Sequence, residues 1–265
     1  MLFRIVCLLS FFLYTPSFAL LAEKPIDHSR WDRLLKQFVH PDGFIDYPGL
    51  LQTKAELDDY LKQLETLSAS QLGEASREDR IAFWINLYNA SVVRMVLEAY
   101  PIKRFDQIPA AFEIRTIKAA GEFFSLSELR DRVLRQGFRD ERILMALVSA
   151  RRDSPKLLPE AFEGNQVEEQ LNRAAAEFVQ DESRNQIKPG SKKIFLSPLF
   201  RDFGSDFVLN FSSQNASSNF SEAQAAVISF ILYHLHDPDQ RLFLSSGRYK
   251  IEYLPEDPRL NDARQ

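Results

Sequence analysis

The chain has 265 residues, of which 45% are hydrophobic and 22 are phenylalanine, so it can fill a sizeable core. Its 33 basic and 37 acidic residues give a net charge of −4. Nucleic acids and anionic membranes attract basic surfaces, so this balance argues against general binding to either.

The first 19 residues have the pattern of a secretory signal peptide. Arg4 precedes an apolar run from Ile5 to Tyr14, and the small residues around Phe18 offer a cleavage site after Ala19. The single cysteine, Cys7, lies inside the apolar run. We therefore expect a periplasmic or secreted protein without stable membrane insertion, whose mature chain forms neither disulfides nor thiolate metal sites.

Helical periodicity recurs along the rest of the chain, with apolar residues at three- and four-residue steps. The predicted helices are a short one from Trp31 to Phe38 with Ser29 as its N-cap, and residues 49–67, 76–100, 125–137, 167–179 and 222–235. Residues 112–126 are predicted to be a β-hairpin, and 193–196 and 249–253 to be strands. Loops are predicted at residues 68–74, 149–155 and 210–221, and a helical turn at 200–207. The apolar run 143–148 fits either a strand or a short helix.

The helix predicted over residues 76–100 is apolar around most of its circumference, so we expect neighbours on several of its sides. Asn86 and Asn89 are carried into the interior with it and lie three residues apart, on one face. Because a buried amide without partners costs about 1–3 kcal/mol, both are predicted to form hydrogen bonds. The expected fold is α+β: a helix-rich single domain, residues 20–265, with a small β-sheet or hairpin around this buried central helix.

Several segments resemble, in order, a family catalogued as domain of unknown function 547. The most specific is residues 82–90, Ala-Phe-Trp-Ile-Asn-Leu-Tyr-Asn-Ala, and the others include Gly43-Phe44-Ile45-Asp46-Tyr47, Phe124-Ser125-Leu126 and Phe195-Leu196-Ser197. The resemblance extends from about Trp31 to Asn261. Because the family has no settled activity, the resemblance implies no particular reaction.

The chain departs from the family's pattern at its chemically reactive positions. Ser149 and Ser154 stand where members of the family carry cysteines, and Leu144 stands in place of a histidine. Arg130 and Asp131 replace a Glu-His pair. The resemblance therefore implies that thiol or metal chemistry has been lost, or alternatively that a disulfide is missing, which suits an exported family.

The candidate catalytic residues are Ser149, Ser154 and Asp131. A nucleophilic serine needs a base and an oxyanion pocket, and the sequence has neither a Gly-x-Ser-x-Gly nor a Ser-x-x-Lys motif. The alternative interpretation is a capped loop on a buried element.

The candidate ligand-binding residues are Asn86, Asn89, Glu128, Arg151 and Arg152; the alternative is that the asparagines bind main-chain groups and the charged residues face solvent. No metal site and no cofactor are predicted. His234 and His236 are two residues apart on a predicted helix, where their side chains point about 200° apart and cannot chelate one ion.

Two functions remain open. The first is a non-catalytic protein that binds a small molecule or an envelope protein through the cleft where the family carries cysteine and histidine. The second is a cell-envelope hydrolase or transferase that uses Ser154 or Ser149 in place of cysteine. The sequence does not decide whether the protein is an enzyme.

Overall fold

The computed structural model describes residues 26–212 and 219–264, and in these residues helices dominate, which confirms the α+β class. The predicted signal peptide, residues 1–19, lies outside the described residues. The helices in chain order are α1 (Ser29–Phe38), α2 (Tyr47–Gln52), α3 (Lys54–Glu65), α4 (Ala69–Glu74), α5 (Arg77–Ala99), α6 (Leu126–Glu128), α7 (Gln136–Phe138), α8 (Ile143–Ala146), α9 (Val167–Gln180), α10 (Pro198–Asp202), α11 (Val208–Phe211), α12 (Glu222–His234) and α13 (Pro238–Ser245). A π-helix, Leu129–Arg135, joins α6 directly to α7, and 3-10 turns form at Phe105–Gln107 and Gly204–Phe207.

Helix α5 is the predicted central helix and packs against α2, α3, α6, α9 and the π-helix. Its side chains are buried almost continuously from Ile81 to Leu97. The Ser76 hydroxyl accepts a hydrogen bond from the Asp79 N–H at 3.0 Å and so caps the first turn. The prediction of a helix buried on several sides is confirmed.

The strands form two small two-stranded sheets. β1 (Ile117–Ala119) and β2 (Glu122–Phe124) form the predicted hairpin, with Ala120 and Gly121 both at positive φ, as a tight two-residue turn requires. β3 (Lys193–Leu196) and β4 (Lys250–Tyr253) are the other two predicted strands, and they pair in parallel. The hairpin is shorter than predicted, because residues 112–113 form a turn and residues 114–116 have no regular secondary structure.

Three predictions in the first part of the chain were wrong in detail. Residues 49–67 form two helices, because Thr53 leaves the helical conformation and its hydroxyl donates to the Leu50 carbonyl at the end of α2. Residues 68–74 are not a loop: Ser68 and Gln71 form a capping box that starts α4. The N-cap of α1 is His28, and Ser29 is its first helical residue.

Later in the chain, the helix that starts at Ser125 does not end at Gly137. It continues through Phe138 and ends at Arg139, whose backbone is left-handed with φ 54°. The apolar run 143–148 is a short helix, α8, followed by an extended segment. Helix α13 was not predicted. Residues 210–211 of the predicted loop 210–221 belong to α11, and residues 213–218 of that loop lie outside the described residues.

Most buried apolar side chains of the described residues form one contiguous core around α5. The prediction that residues 20–265 are a single domain is not tested by this observation and stays a prediction. Among the helices of the described segments, none is long and apolar enough to cross a bilayer.

Candidate functional site

A cleft of about 260 Å³ opens beside the central helix. Its walls come from α5, the π-helix, the segment after α8, the start of α10 and the chain that follows β4. Apolar side chains line much of it, namely Phe112, Leu144, Leu147, Val148, Leu199 and Phe203. This volume lies just below the usual range of about 300–1,000 Å³ for ligand pockets in proteins, so the cleft has room only for a small molecule.

Two hydroxyl groups on this lining are unpaired. Tyr88 is only 2% exposed and Ser149 is half-buried, yet neither hydroxyl has a hydrogen-bond partner among residues 26–212 and 219–264. Burial raises the pKa of Tyr88 to about 12, so its hydroxyl stays protonated and remains a donor. A hydroxyl on a cleft wall that lacks a protein partner is available to water or to a ligand.

The charged groups at the mouth of the cleft neutralise one another. Arg151 donates two hydrogen bonds to Asp153, at 2.9 and 2.6 Å, and a third to Glu256 at 2.9 Å. Glu256 also accepts from Arg201 at 3.2 Å. Hydrogen bonds from these two arginines lower the pKa of Glu256. The predicted ligand-binding residue Arg151 therefore lines the cleft, but with its guanidinium already engaged by carboxylates.

Asp131 does not line the cleft; it supports a residue that does. Arg130, which lines the cleft, donates two hydrogen bonds of 2.8 Å to Asp131, and Arg135 donates a third at 2.6 Å. Burial acts to raise the pKa of Asp131, but these hydrogen bonds hold it below its ordinary value. The Arg130 guanidinium lies 5.8 Å from the Phe112 ring centre and 5.4 Å from that of Phe203. Asp131 is thus an ionised carboxylate that positions Arg130 between two aromatic rings.

Ser154 is buried at the edge of the cleft, and its hydroxyl is engaged. It donates to the Arg151 carbonyl at 2.8 Å, and the Ser154 carbonyl accepts from Arg184 at 2.7 Å. None of the four histidines, all of which lie in the described residues, lines the cleft. Ser149 and Ser154 are therefore brought to one cleft without an imidazole base beside them.

Arg152 points into a neighbouring cleft of about 400 Å³, which shares Asp153, Ser197 and Pro198 with the first. Its guanidinium lies 5.3 Å from the centre of the Phe44 ring and donates to the Leu260 carbonyl at 3.3 Å. The sequence placed Arg151 and Arg152 together, whereas the structure directs them into different clefts.

The two buried asparagines of α5 bind main-chain groups. Asn86 donates to the Phe162 carbonyl at 2.8 Å and accepts from the Phe162 N–H at 3.0 Å. Asn89 donates to the Ala146 carbonyl at 2.9 Å and accepts from the Val148 N–H at 3.1 Å. The predicted hydrogen bonding is confirmed. Asn89 holds the segment that carries Leu147 and Ser149 into the cleft, so it positions the site from behind.

Glu128 acts at the start of α6. Its carboxylate accepts from the Ser125 N–H at 2.9 Å, completing a capping box, and from Arg115 at 2.9 Å. The hydrogen bond from the Ser125 N–H lowers the pKa of this carboxyl. The Glu128 side chain does not line the cleft.

The described residues contain no group of three or more His, Cys, Asp or Glu side chains that could hold a metal ion. His28 hydrogen-bonds to the Tyr60 hydroxyl at 2.7 Å, and His234 is buried next to Phe230 with its Nε2 unpaired. Burial lowers the pKa of both histidines to about 4.

Several cleft residues were not foreseen from the sequence. Tyr88 lies inside the segment 82–90, for which the sequence predicted only that the helix is largely apolar and buried. Phe203 and Glu256 come from distant parts of the chain, and neither has a local signal that associates it with Ser149. The one signal for the site was the set of departures from the family's pattern, because Arg130, Leu144, Ser149 and Ser154 all line this cleft.

Residues 72–179 match the model of a family described as protein of unknown function, DUF547. The match supports the resemblance found in the sequence. It extends from α4 to α9 and includes the cleft residues from Tyr88 to Ser154, but not those from α10 onwards. No curated protein and no solved structure matches the chain. The DUF547 description names no activity, so the chemistry of the cleft must be argued from its own residues.

Proposed function

We propose that the protein is a non-catalytic binding protein whose 260 Å³ cleft takes a small organic molecule. The observation that carries the proposal is the hydroxyl of Tyr88, which has no hydrogen-bond partner among the described residues and lies beside the apolar side chains of the lining. The ligand class that fits is a compact molecule with an apolar body and one hydrogen-bonding group directed at Tyr88 and Ser149.

The charge pattern supports an uncharged or zwitterionic ligand. Arg151, Glu256 and Asp153 already satisfy one another, and Asp131 neutralises Arg130. A ligand with a net charge would have to break one of these ion pairs and leave one of its side chains without a counter-charge beside an apolar surface. A neutral ligand leaves the ion pairs intact.

The residues at the cleft also favour binding over thiol or metal chemistry. The resemblance implies cysteine or histidine at the positions of Ser149, Ser154 and Leu144, and here all three lack a thiol or imidazole. The signal-peptide pattern of residues 1–19 supports a periplasmic or secreted location, so the ligand would be met outside the cytoplasm. An envelope protein that presents a small apolar group is the other partner that fits.

The test is a small-molecule fragment screen by ligand-observed NMR, run in parallel on the wild type and three variants. Ser149→Phe fills the cleft from its half-exposed edge, and Ser70→Phe places the same ring on an exposed face of α4 as a matched control. Tyr88→Phe removes only the hydroxyl. We expect fragments that bind the wild type and Ser70→Phe to be lost in Ser149→Phe.

Binding to Tyr88→Phe is expected to weaken by about two- to tenfold, the worth of one hydrogen bond. Fragments that bind the wild type and Ser149→Phe equally well would show that they sit elsewhere. A screen without any cleft binder would contradict the proposal.

The alternative function, a hydrolase or transferase with Ser154 or Ser149 as nucleophile, makes a separate prediction. A serine-directed fluorophosphonate should then label the folded protein, and Ser149→Ala or Ser154→Ala should abolish labelling. The geometry gives it less support, because the Ser154 hydroxyl donates to the Arg151 carbonyl and no histidine lines the cleft. Serine-dependent labelling would overturn the binding-protein proposal.

A further inference from the structure

A separate cavity, of about 190 Å³, lies where α3, the central helix α5 and strand β1 meet. It shares no lining residue with the 260 Å³ cleft. Most of the residues that line it are polar or charged, although apolar atoms also contribute to its wall. From α5, Ser91 and Arg94 line it beside Leu87 and lie about one helical turn apart.

Both of these side chains carry a buried polar atom without a hydrogen bond. Ser91 is 0% exposed and its Oγ has no partner, and the same holds for the buried Nε of Arg94, in the part of the chain that the structure describes. Such atoms are rare in folded proteins, because each loses its hydration without a replacement. Two of them on one cavity indicate that something polar occupies it.

The Arg94 guanidinium is also short of negative charge. Its side chain is 24% exposed, and its one ion pair within residues 26–212 and 219–264 is with Glu98, 3.6 Å from Nε and so beyond hydrogen-bond distance. The two carboxylates on the cavity lining, Asp58 and Glu65, already pair with lysines at 2.7 Å. Lys62 also lines the cavity and has no carboxylate partner among the described residues. The lining therefore has spare positive charge and spare donors.

From these contacts we infer that this cavity is a binding site for a small oxyanion. An oxyanion accepts hydrogen bonds from the forked guanidinium of Arg94 and from the Ser91 hydroxyl together, and it supplies the missing negative charge. The volume equals that of roughly six water molecules, which suits phosphate, sulfate or a short carboxylate and excludes a nucleotide. The three anions share the same acceptor chemistry, so the experiment separates them.

The test is isothermal titration calorimetry of the protein with inorganic phosphate, sulfate and acetate, in chloride buffer at constant ionic strength. Arg94→Met and Ser91→Ala remove the two proposed donors. Arg33→Met removes one positive charge from an exposed position of α1 and is the charge-matched control. We expect one site per chain, about tenfold weaker in Arg94→Met, a few-fold weaker in Ser91→Ala and unchanged in Arg33→Met.

The inference is overturned by an absence of saturable binding for all three anions, or by equal weakening in Arg94→Met and Arg33→Met. Arg94→Lys keeps the charge and loses the fork, and it replaces Arg94→Met if that variant does not fold. Unchanged affinity in both Arg94→Lys and Ser91→Ala would then reject the site. Because the two cavities share no residue, this titration and the fragment screen succeed or fail independently.

Discussion

Tyr88 and Asn89 are neighbours in the sequence, yet their polar groups meet different surroundings. The Asn89 amide donates to the Ala146 carbonyl and accepts from the Val148 N–H, whereas the Tyr88 hydroxyl faces the cleft without a hydrogen-bond partner among the described residues. Successive residues of a helix point about 100° apart, so one side chain faces the packed interior and the next faces the cavity beside it. The free-energy cost of burying a polar group without a partner correctly predicted that Asn89 is hydrogen-bonded. The same argument could not show that the Tyr88 hydroxyl has no hydrogen bond to the described residues.

His28 makes the stability of the protein dependent on pH. Burial lowers its pKa from 6.5 to about 4, against the opposing effects of Asp27 and Asp79. The unfolded chain therefore binds a proton between these values while the folded chain does not. The contribution of the buried neutral His28 to the free energy of unfolding is fully present above pH 6.5 and is lost as the pH falls toward 4. Between pH 7 and pH 5 this loss is about 2 kcal/mol. Urea unfolding at the two pH values measures this difference.

The contribution of His28 is isolated by comparing how steeply the free energy of unfolding changes with pH in each variant, rather than the free energy of unfolding at a single pH. His28→Gln should reduce the pH-dependent loss by about 2 kcal/mol, while His40→Gln, at an exposed position, should leave it unchanged. Part of the loss should survive in His28→Gln, because burial also lowers the pKa of His234. Identical slopes in the wild type and His28→Gln would refute the assignment.

Among the elements, residues 126–138 show where local signals succeed and where they fail. Ser125 and Glu128 form the capping box that starts this helix, as sequence pattern alone predicts for Ser125. The predicted end at Gly137 was wrong, because the helix passes through a π-helical segment and ends only at Arg139. The π-helix carries Arg130 to the cleft and lets Arg135 bond to both Asp131 and Asp206. Such wide turns are frequent at functional sites.

The end of this helix can be tested with two substitutions of opposite chemistry. Gly137 is helical, and an added Cβ would meet its nearest atom at an ordinary 3.6 Å, so Gly137→Ala should stabilise the protein by about 0.5–1 kcal/mol. Arg139 is left-handed and exposed, so Arg139→Gly should stabilise it by a similar amount. Chemical denaturation gives both values.

The matched control is Arg139→Ala. Because alanine keeps a Cβ at this left-handed position, the substitution should not increase the free energy of unfolding. If Gly137 ended the helix, Gly137→Ala would instead destabilise the protein by about 1 kcal/mol. The sign of that one measurement therefore decides between the two helix ends.

On the scale of the whole molecule, the last described residues tie distant parts of the chain together. β4 pairs with β3, the Asn261 N–H donates to the Ala150 carbonyl at 3.0 Å, and the Tyr47 hydroxyl donates to the Asn261 side chain at 2.8 Å. The chain between these contacts carries Glu256 to the mouth of the cleft. One segment thus supports a sheet, the cleft and the turn before α2.

Removing residues 249–265 should therefore unfold more than the segment itself. We expect the truncated chain to lose its cooperative thermal transition, because buried Tyr249 and Leu260 leave the core and Tyr47 loses its acceptor. Circular dichroism melting tests this. A chain lacking only residues 264–265 should melt like the full chain, since Arg264 makes an exposed ion pair with Asp46. An unchanged transition in the longer truncation would show that the segment is dispensable.

A smaller part of the candidate site could be foreseen from the sequence. Ser149, Ser154 and Arg151 were singled out and line one cleft, whereas Asp131 and Glu128 support neighbouring groups and Arg152 faces the adjoining cleft. Phe203 and Glu256 could not be foreseen, because they reach Ser149 through packing between segments with no common sequence pattern.

The sequence by itself determined the helix-rich class and the central helix, because helical periodicity depends on residues three or four apart. Only the tertiary structure decided that β3 and β4 pair in parallel and that the helix from Ser125 runs on to Arg139. It also decided that, within the described part of the chain, the hydroxyls of Tyr88 and Ser91 have no hydrogen-bond partner. These outcomes depend on which segments, far apart along the chain, share a surface in the folded protein. Local patterns say that a polar group must be satisfied, and the three-dimensional packing decides whether the protein or a ligand satisfies it.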